Sequence, residues 1–433
     1  VVYITNQNGQ PLMPTTRHGF VRRALKEGKA KVIRRCPFTI QLLYDTGDVV
    51  QPVSLGVDAG SKHIGLSATT ETKELYAADI EVRNDIVKLQ SARREFRRSR
   101  RNRKTRYRKP RFNNRTKAKH KGWLAPSVEA KIGSHIQAVK NACKILPVKR
   151  IVVEAASFDL QKLKADEAGL AAPKGAEYQQ GEMLGFWNAR EYVLFRDGHT
   201  CQCCKGKSGD KRLNVHHIQS RQIGGDAPNN LITLCETCHT KYHAGLVNLP
   251  KSIKRDKPQK DAVFMGVMRW IFYNRLQALY PGMVSMTYGY ITKNTRITNG
   301  IEKTHTADAR CISGNPKAEP ADCVYFQRKV RCHNRQLHKA TILKGGVRKR
   351  NQAAYAVYGY RLFDKVLYQN QECFITGRRT SGSFKLVKFD GTVLSEGVSY
   401  KKIILLERAK HIITERLAAS SPCLKAGASA AVF

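Results

Sequence analysis

Two Cys-x-x-Cys pairs constrain the fold of this chain more than any other feature. Cys201 and Cys204 form the first pair, Cys235 and Cys238 form the second, and thirty residues lie between the pairs. Four thiolates in two such turns make the tetrahedral sulfur site that Zn²⁺ prefers, so the chain between them has to fold back on itself. Thiols at this spacing beside histidines are typical of metal binding in a reducing compartment, not of disulfides. The sequence therefore predicts a structural Zn²⁺ module.

The charge balance predicts a polyanionic partner. The chain has 77 Lys and Arg residues against 34 Asp and Glu residues, a formal net charge of +43. Such a charge needs neutralisation, and nucleic acid is the expected source. Sixteen of the 29 residues at 93–121 are Lys or Arg, so a helix there is cationic nearly all round and has no face to bury. A partner has to wrap it.

Length and pattern predict a multidomain α/β chain. At 433 residues the chain exceeds the roughly 250 residues at which single cores stop growing. Apolar and alternating runs predict strands and periodic runs predict helices. The predicted strands include 53–58, 63–70, 74–82, 150–154 and 284–291, and the predicted helices include 17–26, 127–145 and 261–279. No apolar run is long enough to cross a bilayer, and the N-terminus lacks a signal-peptide pattern, so we expect an intracellular protein without membrane association.

Histidines and one asparagine accompany the cysteines in an ordered pattern. They are His216, His217, Asn230, His239 and His243. This order resembles the HNH ββα-metal nucleases. The resemblance implies that His217 is the general base that deprotonates water. It also implies that His216 and His239 hold one divalent cation, with His243 a candidate further ligand, and that Asn230 fastens the loop bearing the base. The alternative is a zinc knuckle that binds DNA without catalysis.

Three carboxylates follow in a second pattern. Asp58 ends an apolar strand in a Gly-x-Asp-x-Gly turn, Glu154 ends another apolar strand, and Asp308 follows His305 at a predicted helix start. Alone, the turn fits a nuclease, an actin-like kinase or a plain loop, Glu154 fits a surface residue, and Asp308 fits a helix cap. Together the set resembles the three RuvC motifs. Carboxylates on separated strands can converge on two Mg²⁺ ions, so we expect these three as metal ligands. His305 is expected to position or activate the attacking water.

The segment Pro11-Leu12-Met13-Pro14 adds a third resemblance. It resembles the motif that names the N-terminal domain of IscB proteins, which are transposon-encoded RNA-guided DNA endonucleases. In these proteins an HNH module is inserted into a split RuvC fold of the ribonuclease-H type. The basic segment resembles their arginine-rich bridge helix, which grips guide RNA. The RNA-binding residues implied are Arg93, Arg94, Arg97, Arg98, Arg100, Arg101, Arg103 and Arg106.

The IscB resemblance covers nearly the whole chain and implies a domain order. The implied domains are an N-terminal domain at 1–52, RuvC parts at 53–90, 122–186 and 250–325, the bridge helix at 91–121, the HNH domain at 187–249 and a β-rich domain at 326–433. The last domain is expected to bind guide RNA and a motif beside the target.

The same resemblance implies the partners and the reaction. A guide RNA, called ωRNA, pairs with one strand of a double-stranded DNA target that carries an adjacent motif. The HNH site cuts the guide-paired strand with one Mg²⁺ ion, and the RuvC site cuts the displaced strand with two. A monomeric ribonucleoprotein in the prokaryotic cytosol or nucleoid is expected. The alternatives are a protein-guided HNH homing or intron-associated endonuclease and a non-catalytic RNA-binding protein.

Overall fold

The computed structural model describes residues 1–47, 49–101, 122–155, 171, 186, 188–220, 228–249, 260–331, 354–409 and 411–418, with the backbone alone at 96–101 and 260–263. The chain forms two compact units. Unit 1 comprises Val1–Phe158 and Met268–Phe433, and unit 2 comprises Asp159–Val267. Among the described residues no helix combines the length and the apolar character that a membrane span requires.

The helices and strands follow one another in a mixed order. In chain order they are β1 (Tyr3–Thr5), α1 (His18–Lys26), β2 (Ala30–Arg34), β3 (Thr39–Leu42), β4 (Val53–Ala59), β5 (His63–Thr69), β6 (Glu74–Glu81), α2 (Ile86–Arg101), α3 (Pro126–Cys143), β7 (Val148–Ala155), α4 (Ala189–Arg196), β8 (Leu213–His217), β9 (Leu231–Cys235), α5 (Glu236–His243), α6 (Lys260–Leu279), β10 (Val284–Tyr288), α7 (Gly289–Thr298), α8 (His305–Ser313), β11 (Cys323–Lys329), β12 (Lys365–Tyr368), β13 (Gln371–Arg378), β14 (Ser383–Val387), β15 (Val393–Ser399), β16 (Ile404–Glu407) and β17 (Ile412–Ala418), with short 3₁₀ turns at Pro228–Asn230 and Tyr400–Lys402. The predicted α/β multidomain organisation is confirmed.

A seven-stranded sheet forms the centre of unit 1. Its strand order is β10-β7-β4-β5-β6-β11-β17. The predicted strands β4, β5 and β6 pair as an antiparallel meander, while β7 lies parallel to β4 and β10 lies parallel to β7. Strand β11 pairs parallel with β6 and antiparallel with β17. Strand β7 contains the continuous apolar run Ile151–Val153, and all three side chains are buried. Such a run is expected in a strand that is covered on both faces.

Helix α8 lies directly against the backbone of β4 and β5. A methyl group at Gly56 would lie 1.9 Å from the carbonyl oxygen of Ala309, and one at Gly65 would lie 2.0 Å from the carbonyl oxygen of His305. Real side chains do not tolerate such distances, so only glycine lets the helix and strand backbones approach this closely. These two glycines therefore allow α8 to lie this close to the sheet.

The segment after β10 differs from the sequence prediction. A strand was expected over 284–291, but β10 ends at Tyr288 and α7 begins at Gly289. Gly289, the first residue of that helix, lies beside Glu154, since a methyl group there would lie 3.1 Å from Oε1 of Glu154. Glycine lets the chain turn beside that carboxylate, and the helix that follows brings Thr292 and Arg296 to the same place.

Two smaller sheets complete unit 1. The first has the order β1-β3-β2 and packs against α1 through Val21, Ala24 and Ile40. The second is an antiparallel sheet of order β15-β14-β13-β12-β16 around Ile375 and Phe384. Strand β11 spans the predicted domain boundary at residue 325, and β17 joins the seven-stranded sheet, so the C-terminal segment contributes to both sheets.

Unit 2 contains the two Cys-x-x-Cys pairs and the histidines of the HNH-like pattern. Strands β8 and β9 pair antiparallel, with His216 opposite Ile232 and His217 opposite Leu231. Helix α5 starts directly after β9, with Cys235 as its N-cap. The result is a ββα arrangement.

Candidate functional site

The first candidate site lies in unit 1, where the carboxyl ends of two neighbouring parallel strands meet a helix start. Val57 of β4 pairs with Val153 of β7, so Asp58 and Glu154 follow at adjacent positions of the sheet. Asp308 lies in the first turn of α8. Glu154 and Asp308 line one cavity of about 330 Å³. The fold thus brings together three carboxylates that are widely separated in the sequence.

The electrostatics show that these carboxylates interact unfavourably with one another. Burial raises the pKa of Glu154, and the charges of Asp58 and Asp308 raise it further. Burial also raises the pKa of Asp308, again with a contribution from Asp58. Mutual repulsion between acidic groups in a cleft is what bound cations relieve.

The three carboxylates do not form a compact ligand group by themselves. Among the described residues, the groups whose potential ligand atoms all lie within 4.8 Å of one another are four cysteines and three histidines.

His305 lies beside this carboxylate site. Its Nδ1 lies 2.7 Å from Oδ2 of Asp58, and this hydrogen bond raises the pKa of the imidazole. The preceding Thr304 caps α8, because its hydroxyl oxygen accepts from the backbone N–H of Ala307 at 3.0 Å. With Nδ1 engaged by a carboxylate, Nε2 is the ring nitrogen left for a water molecule.

Three basic side chains also line this cavity, and the sequence patterns did not predict them. Lys293 and Arg296 come from α7, and Lys303 precedes His305 by two residues. The Arg296 guanidinium lies 3.1 Å from a carboxylate oxygen of Asp308, and both side chains are largely buried. The carboxylates of this cavity can bind metal ions, and its basic side chains can bind an anion. The cavity is therefore suited to a metal-bound phosphate.

The second candidate site lies in unit 2, where the three histidines His216, His239 and His243 converge. Nε2 of His239 lies 3.2 Å from Nε2 of His243, one turn further along α5. His216 is 6% exposed, and its ring centroid lies 5.2 Å and 5.1 Å from those of the other two. Among the described residues none hydrogen-bonds to the buried Nε2 of His216. An unsatisfied nitrogen among imidazoles fits a metal ion.

Protonation agrees with this interpretation. Burial, together with the charges of the neighbouring His239 and His243, lowers the pKa of His216 to about 4. Burial also lowers the pKa of His239. Neutral imidazoles keep the lone pair that a metal requires. His217, at the end of β8, is not a member of this ligand group.

Asn230 fastens the loop that follows His217. The side chain is fully buried and bonds the backbone of Gln219 twice, accepting from its N–H at 2.9 Å and donating to its carbonyl oxygen at 2.9 Å. The backbone N–H of Ile218 donates to the carbonyl oxygen of Asn230 at 2.8 Å. The two residues after His217 are thus fixed to the residue before β9.

The four cysteines form a second ligand group in unit 2. The Sγ atoms of Cys201, Cys204, Cys235 and Cys238 all lie within 4.8 Å of one another. Three of these side chains are buried. Hydrogen bonding with Ser208 lowers the pKa of Cys204 to about 6, which favours the thiolate. The predicted cysteine cluster is confirmed, and it fits tetrahedral Zn²⁺.

The basic segment is described in part. Helix α2 begins at Ile86, five residues before the predicted start of the bridge helix, and Arg93 and Arg94 on it are exposed. The side chains of Arg97, Arg98, Arg100 and Arg101, together with Arg103 and Arg106, lie outside the described residues.

Two protein families match the chain. Residues 2–181 match the family described as RRXRR protein, and residues 201–245 match the HNH endonuclease family. The chain therefore has a region similar to RRXRR proteins, followed by a region similar to HNH endonucleases. The HNH match covers the cysteines, the three histidines and Asn230, so the predicted HNH resemblance is confirmed. The combination is consistent with the predicted IscB-like nuclease.

The matches to individual proteins are short or of low identity. A stretch of 58 residues, 13% of the chain, is 36% identical to Anaredoxin of Nostoc sp. and covers 74% of that protein. This stretch is therefore related to Anaredoxin. Streptococcus thermophilus Cas9 in complex with AGGA PAM is 15% identical, with a TM-score of 0.29 over 44% of this chain and 26% of that one. Type II-C Cas9 from Actinomyces naeslundii is 10% identical, with a TM-score of 0.19 over 61% of this chain and 60% of that one. The chain thus spans about a quarter of the first Cas9 structure and less than two thirds of the second.

Proposed function

We propose that the chain is an RNA-guided DNA endonuclease that cuts both strands of its target. The observation that carries the proposal is the meeting of Asp58, Glu154, Asp308 and His305 at one end of the central sheet, in a chain that also has an HNH domain. The strands β4 to β7 and β10 supply an antiparallel meander with parallel strands on one side, which supports a split RuvC-like fold of the ribonuclease-H type. Unit 2 then interrupts this fold between β7 and β10.

In the RuvC-like site, the described residues divide the work of hydrolysis. His305 accepts the proton of the attacking water at Nε2 and is oriented through Nδ1 by Asp58. Lys303 and Arg296 stabilise the negative charge that grows on the phosphate oxygens. Bound divalent cations, held by the three carboxylates here and by the three imidazoles in unit 2, would lower the pKa of water and stabilise the leaving oxygen.

In the HNH site, His217 is the proposed general base. The double hydrogen bond between Asn230 and Gln219 supports this role, because it restricts the backbone directly after His217. His216, His239 and His243 form the proposed cation site, and the four cysteines form the proposed structural Zn²⁺ site. The HNH site would cut the guide-paired strand, and the RuvC-like site would cut the displaced strand.

RNA guidance rests on charge and on the family resemblance. Arginine is suited to a guide RNA because its planar fork pairs with phosphate in two contacts and stacks on bases. Exposed Arg93 and Arg94 on α2 support the proposed bridge helix. We therefore propose ωRNA and double-stranded DNA with an adjacent motif as partners of a monomeric ribonucleoprotein in the prokaryotic cytosol or nucleoid.

The test is strand-resolved cleavage. The chain is co-expressed with the DNA that flanks its gene, the RNA that co-purifies is sequenced, and a target plasmid is designed from that sequence. Asp58→Ala should leave cleavage of the guide-paired strand only, and His217→Ala should leave cleavage of the displaced strand only. A matched control is Asp45→Ala, a change at a carboxylate that is exposed outside both sites. Cleavage of a defined site without bound RNA would favour a protein-guided endonuclease.

A further inference from the structure

His63 forms a second histidine–carboxylate pair beside the RuvC-like site. Its Nδ1 lies 2.9 Å from Oδ1 of Asp79 on β6. Its ring stacks on the ring of His305, with 5.1 Å between the centroids and 4° between the planes. The result is a continuous series of contacts from Asp79 through His63 and His305 to Asp58.

The sheet explains why His63 reaches His305. Residues two apart on a strand face the same side, so His63 and Gly65 share the face of β5 on which α8 lies. At Gly65 the absent side chain lets the His305 backbone approach closely. Strand β5 therefore provides space for the backbone of His305 at Gly65 and a ring that stacks on its side chain at His63.

These contacts restrict the imidazole of His305 in complementary ways. The hydrogen bond to Asp58 fixes Nδ1, but by itself it leaves the ring free to swing about that bond. The stacked ring of His63 covers one face and opposes this motion, and the hydrogen bond to Asp79 keeps His63 in its own rotamer. Partners that orient a reacting group in this way typically change its activity by 10- to 100-fold when removed.

We propose that His63, held by Asp79, is a positioning residue that orients His305 toward the attacking water. The inference rests on the proposed function of the RuvC-like site, and it adds a residue to which the sequence patterns assigned no role. His63 contributes through ring contact and not as a ligand or a base. Its loss should therefore slow hydrolysis of the displaced strand without affecting the HNH site.

The test uses the ribonucleoprotein and plasmid target described above, with the two strands labelled differently at saturating enzyme. His63→Ala should lower the cleavage rate of the displaced strand by about 10- to 100-fold and leave the guide-paired strand and the affinity for target unchanged. His63→Phe keeps a ring for stacking, so it should lose less activity than His63→Ala. Asp79→Asn keeps a hydrogen-bond acceptor, so it should lose less than Asp79→Ala. His18→Ala, at an exposed histidine of α1, is the matched control.

The outcomes separate this inference from the proposed function. If Asp58→Ala does not reduce displaced-strand cleavage, the RuvC-like site itself has been assigned wrongly. If Asp58→Ala abolishes it while His63→Ala cuts at the wild-type rate, only the positioning role is overturned. Equal losses on both strands by His63→Ala, or the same loss by His63→Phe as by His63→Ala, would also overturn it, because they indicate a general structural effect or no role for stacking.

Discussion

Replacing Gly65 by alanine should disable the RuvC-like site by displacing the backbone of His305. The added methyl carbon would lie 2.0 Å from the His305 carbonyl oxygen, whereas ordinary contacts begin at 3.4 Å, so α8 has to move by about 1.4 Å. A displacement of about 1 Å costs a reacting group on the order of 100-fold in rate. Overpacking of this kind also costs about 1–3 kcal/mol of unfolding free energy. We therefore expect displaced-strand cleavage to fall by at least two orders of magnitude.

Strand-resolved cleavage and thermal unfolding measure the two effects separately. The guide-paired strand should still be cut, since the HNH site lies in the other unit. Gly133→Ala is the control, because Gly133 lies in α3 with no atom within 4 Å of the added methyl group. A Gly65→Ala protein that cuts the displaced strand at the wild-type rate would refute the argument that close backbone approach positions His305.

Further perturbations test the cations and the metals. Arg296→Ala should move the acid limb of the pH–rate profile for displaced-strand cleavage to higher pH. The reason is that the guanidinium lowers the pKa of Asp308, and a protonated carboxyl group does not bind metal cations. An unchanged pH–rate profile would contradict this. Cys235→Ser should lose bound zinc and destabilise unit 2, as measured by elemental analysis and thermal unfolding, whereas Cys203→Ser, outside the cysteine cluster, should retain zinc. After the divalent cations have been removed with a chelator, Mn²⁺ should restore cleavage of the guide-paired strand at a lower concentration than Mg²⁺, because imidazoles bind transition metals better. Cleavage of the displaced strand, which depends on the carboxylate site, should show a smaller difference between the two ions. Equal rescue of the HNH cut by both ions would argue against a three-histidine site.

Local patterns in the sequence predicted their structures well. The meander of β4, β5 and β6 could be read from successive apolar runs, because neighbouring antiparallel strands need only short turns. The cysteine cluster could be read from spacing, because each Cys-x-x-Cys pair is local and the metal chemistry joins the two pairs. Asp58, Glu154 and Asp308 were predicted as one site from motif order, which carries information about distant contacts that periodicity does not.

The features that sequence reasoning missed depend on tertiary contacts. Helix α7 begins at Gly289, beside a carboxylate on β7, where the sequence pattern predicted a continuing strand. Arg296 could not be placed while its segment had no assigned helix. His63 and Asp79 meet because β5 and β6 pair in one register, which no single-strand pattern specifies. The close packing of α8 depends on two glycines whose role appears only when the opposing helix is present.

The insertion of unit 2 between β7 and β10 also sets the order in which the protein can mature. These strands are hydrogen-bonded neighbours, yet residues 156–283 separate them in the chain. On a ribosome that adds about 5–20 residues per second, Glu154 emerges on the order of ten seconds before Asp308. The three histidines of unit 2 are all made by residue 243, so they are complete before Asp308, the last of the three carboxylates, is made. The carboxylate site therefore needs residues from both sides of unit 2 before it can assemble.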